Sequence, residues 1–139
     1  MKRAALGVAA VATLTLLAAG AIAVASGANL GALAPQDRKT VPAPIDGLEV
    51  RTLESYPPRY VVEVRAGLPS GCAKQHSHSV GRTGDVLTVT VLNSMPAGNP
   101  ICTMIYGSYS LTVDLGSDFS SGTTYTVQVN DKTTTFQAQ

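Results

Sequence analysis

The feature that most limits what this chain can become is a period of two. From residue 46 onward, runs with apolar side chains at every second position appear repeatedly, and no window of eleven or more carries them at helical spacing. Within Arg59–Gly67, Tyr60, Val62, Val64 and Ala66 share one parity, with Glu63 and Arg65 on the other. Leu87, Val89 and Val91 alternate with Thr88 and Thr90 in Asp85–Asn93, and Leu111, Val113 and Leu115 alternate with Ser110, Thr112 and Asp114 in Tyr109–Leu115. In Thr123–Asn130, Tyr125, Val127 and Val129 alternate with Thr124, Thr126 and Gln128, and a last strand is expected over Lys132–Ala138 with Phe136 inward. Successive side chains of a strand point to opposite faces, so each run reads as a strand with one wet and one dry face. Leu48–Glu54 and Cys72–Gly81 are weaker strands, and Ile101–Tyr106 is a further candidate.

Turn chemistry separates these runs. Tyr56-Pro57-Pro58-Arg59 and Leu68-Pro69-Ser70-Gly71 each join a pair, while Arg82-Thr83-Gly84-Asp85 and Asn130-Asp131 read as short hairpin connections. Asn93–Pro100, with two prolines and a glycine, reads as a longer crossing. The alternation breaks at Gly107, where a bulge or a strand-to-strand corner would restore it. Seven to eight short strands in about ninety residues predict an all-β fold of two packed antiparallel sheets.

The N-terminus has a different composition. Lys2 and Arg3 precede residues 4–36, which hold no charged side chain at all. Small residues accumulate around residues 21–28, as signal peptidase cleavage requires. The expectation is a signal peptide over residues 1–28. The alternative is an uncleaved anchor helix, since twenty-two residues at ~1.5 Å each reach ~33 Å, enough to span a bilayer. Residues 29–45 read as a linker, stiffened toward extended geometry by Pro42 and Pro44. Residues 46–139 form the sandwich. Either fate of the N-terminus places that domain outside the cytoplasm, secreted, periplasmic or at the cell surface.

From Asp37 onward eight Lys and Arg face nine Asp and Glu, a net charge of −1. Nucleic acid needs a clustered basic face, and this balance argues against such a partner. It argues equally against electrostatic docking on acidic lipids, leaving membrane contact to an uncleaved N-terminal helix.

The run Leu115-Gly116-Ser117-Asp118-Phe119-Ser120-Ser121-Gly122-Thr123-Thr124-Tyr125 is similar to the corner of immunoglobulin-like and fibronectin type III sandwiches. There a leucine precedes a glycine-containing turn and a tyrosine whose hydroxyl closes the corner. Gly71-Cys72 and Cys102-Thr103 add a resemblance to secreted bacterial β-sandwich proteins. The resemblance implies an immunoglobulin-like architecture with Leu115, Gly122 and Tyr125 as structural corner residues. It implies no activity, because the fold carries adhesive, binding and structural roles alike.

Few residues are candidates for chemistry. Cys72 and Cys102 are the only two cysteines, and in an exported chain they are expected to pair. His76 and His78 are the only two histidines; residues i and i+2 of a strand share a side, so both imidazoles could reach one cation. Such a pair is half a metal site, and the other expectation is an exposed polar strand. The chain has no nucleophile elbow, phosphate loop, CxxC, HExxH or calcium loop. The expectation is therefore a non-enzymatic module without cofactor, meeting an unidentified protein or envelope partner. A small metal-binding protein using His76 and His78 is the rival.

Overall fold

A computed structural model describes residues 37–139. The signal or anchor helix expected over residues 1–28 and the first part of the expected linker lie outside these residues. The described chain holds eight strands: β1 Arg38–Pro42, β2 Ile45–Leu53, β3 Arg59–Leu68, β4 Lys74–Thr83, β5 Val86–Pro96, β6 Gly107–Gly116, β7 Thr124–Val129 and β8 Lys132–Gln137. They form a five-stranded sheet, with β5 paired to β1, β4 and β7 and β7 to β8, and a three-stranded sheet in the order β2-β3-β6.

The period-two residues meet between the sheets as expected. Tyr60, Val62, Val64 and Ala66 of β3 pack with Leu87, Val89 and Val91 of β5, Val113 of β6, and Tyr125, Val127 and Val129 of β7. Tyr109, Leu111, Leu115, Phe119 and Phe136 flank this core, partly buried. Burying one such side chain contributes about 1.5–3 kcal/mol, which is what a small valine-rich core relies on.

Three expectations need correction. The sheets are not wholly antiparallel, because β5 and β7 pair in parallel from Val86↔Thr126 to Val89↔Val129. The edge of β5 that carries β7 also carries β1, paired antiparallel from Arg38↔Pro96 to Pro42↔Leu92. The sandwich therefore starts inside the expected linker, at Arg38. Pro42 and Pro44 do stiffen the chain, but where it leaves one sheet for the other: β2 begins at Ile45 against Ala66. Finally, Ile101–Tyr106 is not a strand. β5 runs on to Pro96, and the chain between Ala97 and Tyr106 is held by contacts other than a ladder. The break in parity at Gly107 is simply the point where β6 begins.

One side chain closes the gap on the shared edge of β5. Asn130, in the turn between β7 and β8, has φ 49°. Its Oδ1 accepts the Val91 N–H at 2.9 Å, and its Nδ2 donates to the carbonyls of Val91 (2.9 Å) and Ala43 (2.8 Å). The amide thus substitutes for the ladder where β7 has ended and β1 has turned away.

Candidate functional site

The two ends of the sandwich differ in character. One end is sealed by aromatic rings. Tyr60, Phe119, Tyr125 and Phe136 lie with ring centroids 4.8–5.6 Å apart, and the Arg82 guanidinium covers Phe119 at 4.9 Å and Tyr125 at 5.2 Å. The corner residues named from the sequence belong here. Tyr125 is buried, and its hydroxyl accepts the Ser120 N–H at 2.9 Å. Leu115 is half-buried against the core, at the point where the β3–β6 register shifts. Gly122 holds φ 80°, which a residue with a Cβ adopts only at a cost. This end is finished by its own side chains; only Tyr56, in the β2–β3 turn, stands fully clear of it.

The other end is built differently. β3 finishes at Leu68, and the chain turns through Pro69–Ala73 into β4. There Cys72 is bonded to Cys102, with Cα atoms 5.5 Å apart and a sequence separation of 30. The disulfide ties the loop 97–106 to this turn, and two close approaches seat it. The Gly71 N–H donates to the Thr103 carbonyl at 2.9 Å; a Cβ at Gly71 would lie 2.0 Å from Thr103 Oγ1. The Tyr106 ring crosses β3 at Gly67, where a Cβ would lie 1.7 Å from its hydroxyl. That hydroxyl donates to Asp46 Oδ1 at 2.8 Å. The bond to Asp46, then desolvation, then the charge of Asp46 push the phenol above its usual range.

A buried polar pair supports the same end from inside. Asn93 is fully buried; its Nδ2 donates to the Gly67 carbonyl and its Oδ1 accepts the Tyr109 hydroxyl, both at 2.8 Å. Burial pushes the Tyr109 phenol up as well. Buried amides without partners are costly, so satisfying Asn93 at both ends fixes the strand from which loop 97–106 departs.

Held in this way, the loop turns its apolar side chains outward. Ile101 is fully exposed, Met104 is 87 % exposed, Ile105 72 % and Tyr106 52 %. Beside them lies a hollow of about 420 Å³ whose lining includes Lys39, Ser70, Met95, Pro100 and Met104. Ser70 Oγ is buried in that wall without a hydrogen-bond partner. Four large apolar side chains on one short segment are the strongest departure from an ordinary surface among the described residues, where scattered single exposures are the norm. The apolar composition of Ile101–Tyr106, which suggests a strand, conceals this surface. The signal was present: its apolar residues fall on both parities, Ile101 and Ile105 on the odd and Met104 and Tyr106 on the even, so no single strand face collects them.

The histidines do not form a site. β4 is the outermost strand of its sheet and is exposed along its whole length. The register skips one residue between Gln75 and Ser77, which places His76 in a bulge, while His78 pairs with Val91. The bulge breaks the i, i+2 relation on which a shared cation depends. Among the described residues no group of three or more His, Cys, Asp or Glu is placed to hold a metal ion. The metal-binding rival is thereby left without support.

Fold and end structures together define a two-sheet β-sandwich with a disulfide-held apolar loop at one end. Residues 62–138 match the family described as the ORF11 beta-sandwich domain. That match covers more than half of the 139-residue chain, and the chain belongs to this family. No curated protein and no solved structure matches it.

Proposed function

We propose that this protein is a non-catalytic extracytoplasmic module, secreted or held at the cell surface, that works by contact through loop 97–106. The observation that carries the reading is the outward display of Ile101, Met104, Ile105 and Tyr106 on a segment fixed by Cys72–Cys102. A loop that served only to connect β5 with β6 would gain by turning these side chains inward. Here a covalent link and two glycine-dependent close approaches hold them in solvent, a cost that a contact face offsets when its partner arrives. Support for the compartment comes from the disulfide, since such bonds persist where the surroundings oxidise thiols, and from the charge-free segment 4–36 behind Lys2 and Arg3.

The test is site-directed photo-cross-linking in the native envelope. A photoreactive side chain at position 105 is compared with one at position 56, on the opposite end and even more open to solvent. A saturable adduct from position 105 and none from position 56 is expected. Equal labelling from both positions, or none from 105, refutes the contact role of the loop.

A further inference from the structure

We infer that the surface met by loop 97–106 is the interface of a lipid bilayer, into which Ile101, Met104, Ile105 and Tyr106 insert; this rests on the contact role proposed above. Three observations lead there. The first is shape. Ile101, Met104 and Ile105 are 72–103 % exposed and project from the body, and of the three only Met104 lines the neighbouring hollow. A projecting apolar tip suits a fluid hydrocarbon boundary, which closes around whatever enters it, better than a protein surface, which needs a matching pocket for each anchor. Tyr106 adds a ring whose polar end is held by Asp46 and whose apolar body stays half open, as at the headgroup level.

The second observation is the charge around the tip. Arg38 and Lys39 sit opposite Pro96 and Met95, and Lys74 opposite Ser94. The Arg38 guanidinium also donates to the Cys72 carbonyl at 2.9 Å, bringing it beside the disulfide. Asp37 and Asp46 lie at the same end, so three cations face two carboxylates. A chain with net charge −1 from Asp37 onward thus turns a locally positive end outward together with its apolar tip. Basic residues around an inserted apolar loop favour anionic headgroups. The overall charge balance conceals this arrangement, because the remaining seven acidic residues lie elsewhere in the chain.

The third is where the chain enters. The Asp37 carbonyl accepts the Ala97 N–H at 2.7 Å, so the described fold begins at the base of the same loop. The thirty-three residues before it carry no charge. Whether that segment is retained as an anchor or removed after export, the fold was joined to it at its apolar end. A retained anchor would hold the loop within reach of the bilayer.

The experiment uses the exported, oxidised protein with vesicles of phosphatidylcholine and phosphatidylglycerol at 7:3, and with phosphatidylcholine alone. A protein that keeps its N-terminal segment is reconstituted into the same vesicles. Hydrogen exchange is read at residues 101–106 and at the Tyr56 turn, and vesicle affinity is measured for the processed form. Slower exchange at 101–106 but not at Tyr56 is expected, with tighter binding to the anionic vesicles. Ile101→Ser with Ile105→Ser should lower affinity at least about tenfold, the equivalent of about 1.4 kcal/mol. Tyr56→Ser should leave it unchanged. Both positions are exposed, and unchanged thermal midpoints will show that the variants fold. Unaltered exchange at 101–106 in vesicles, or undiminished binding by the double variant, overturns the lipid assignment. Protein adducts from position 105 with no response to vesicles overturn it too, while leaving the contact role standing; silence in both assays removes both.

Discussion

Replacing Asn130 tests how the shared edge of β5 is held together. In Asn130→Ala three hydrogen bonds disappear at once: Val91 N–H to Oδ1, and Nδ2 to the Ala43 and Val91 carbonyls. The Val91 carbonyl keeps the Ala43 N–H at 2.9 Å. The buried Val91 N–H, on that same edge of β5, loses its acceptor. An unsatisfied buried donor costs ~1–3 kcal/mol, and the other lost bonds add ~0.5–1.5 kcal/mol each. The turn conformation, φ 49°, costs alanine about a further 1 kcal/mol, which asparagine tolerates better. The sum is about 3–7 kcal/mol, a large part of the ~5–15 kcal/mol available to a small domain. Asn130→Gly removes the backbone penalty but none of the others, and should recover about 1 kcal/mol relative to alanine. Urea unfolding gives the free energies, and hydrogen exchange at the Val91 amide gives the local effect: fast in both variants, slow in the parent. Variants within 1 kcal/mol of the parent (about the worth of one ordinary bond), or a Val91 amide that stays protected, would show that the asparagine is not the bridge described.

Two further outcomes follow from the two ends. Reducing Cys72–Cys102 releases a loop of thirty residues, worth ~3–4 kcal/mol in the chain-entropy model; thermal melts with and without reductant should differ by well over 10 °C, at ~4–8 °C per kcal/mol, and a shift under about 5 °C would refute the estimate. Tyr125→Phe removes the bond from the Ser120 N–H and should cost ~1 kcal/mol while the ring contacts survive; a neutral substitution, measured by urea unfolding, would deny the hydroxyl its corner role.

The sequence made the core legible and the edges illegible, for a physical reason. A strand with one buried face must alternate, so Val62, Val64, Val89, Val127 and Val129 declare themselves wherever a second sheet covers them. β4 shows the converse. His78 and Val80 pair with Val91 and Val89, and so point toward the core side of the sheet. Both remain exposed, because β4 lies beyond the cover of the three-stranded sheet. Parity therefore reported the correct face but not whether anything lay over it. His76 and His78 thus lie on an exposed polar strand, the second of the two expectations for this pair. β1 was hidden for a related reason. Arg38, Lys39 and Pro42 are exposed, so hydrogen bonding to β5, rather than a buried side-chain stripe, places that strand, and ladder bonds leave no mark on composition.

Loop 97–106 is the instructive case, because its composition pointed the wrong way. Ile-Cys-Thr-Met-Ile-Tyr has the apolar content of a core strand, and only its failure to share a register with β6 distinguishes it. What keeps it from becoming a strand is local. Cys102 is bonded to Cys72, Thr103 is seated on Gly71, and Tyr106 crosses β3 at Gly67 to reach Asp46. Between them these fix alternate parts of a ten-residue segment to three different elements, so it cannot lie flat along one neighbour. Ile101, Met104 and Ile105 are the residues left over, and they stay in solvent because the fastened residues beside them hold the segment away from any one neighbour. Their exposure is therefore a consequence of how the loop is fastened, and loosening one fastening is predicted to change it. Reduction that freed Cys102 while Tyr106 stayed on Asp46 should let Ile101 fold back toward the hollow beside Met95, and the contact surface at this end should shrink before the sandwich itself unfolds.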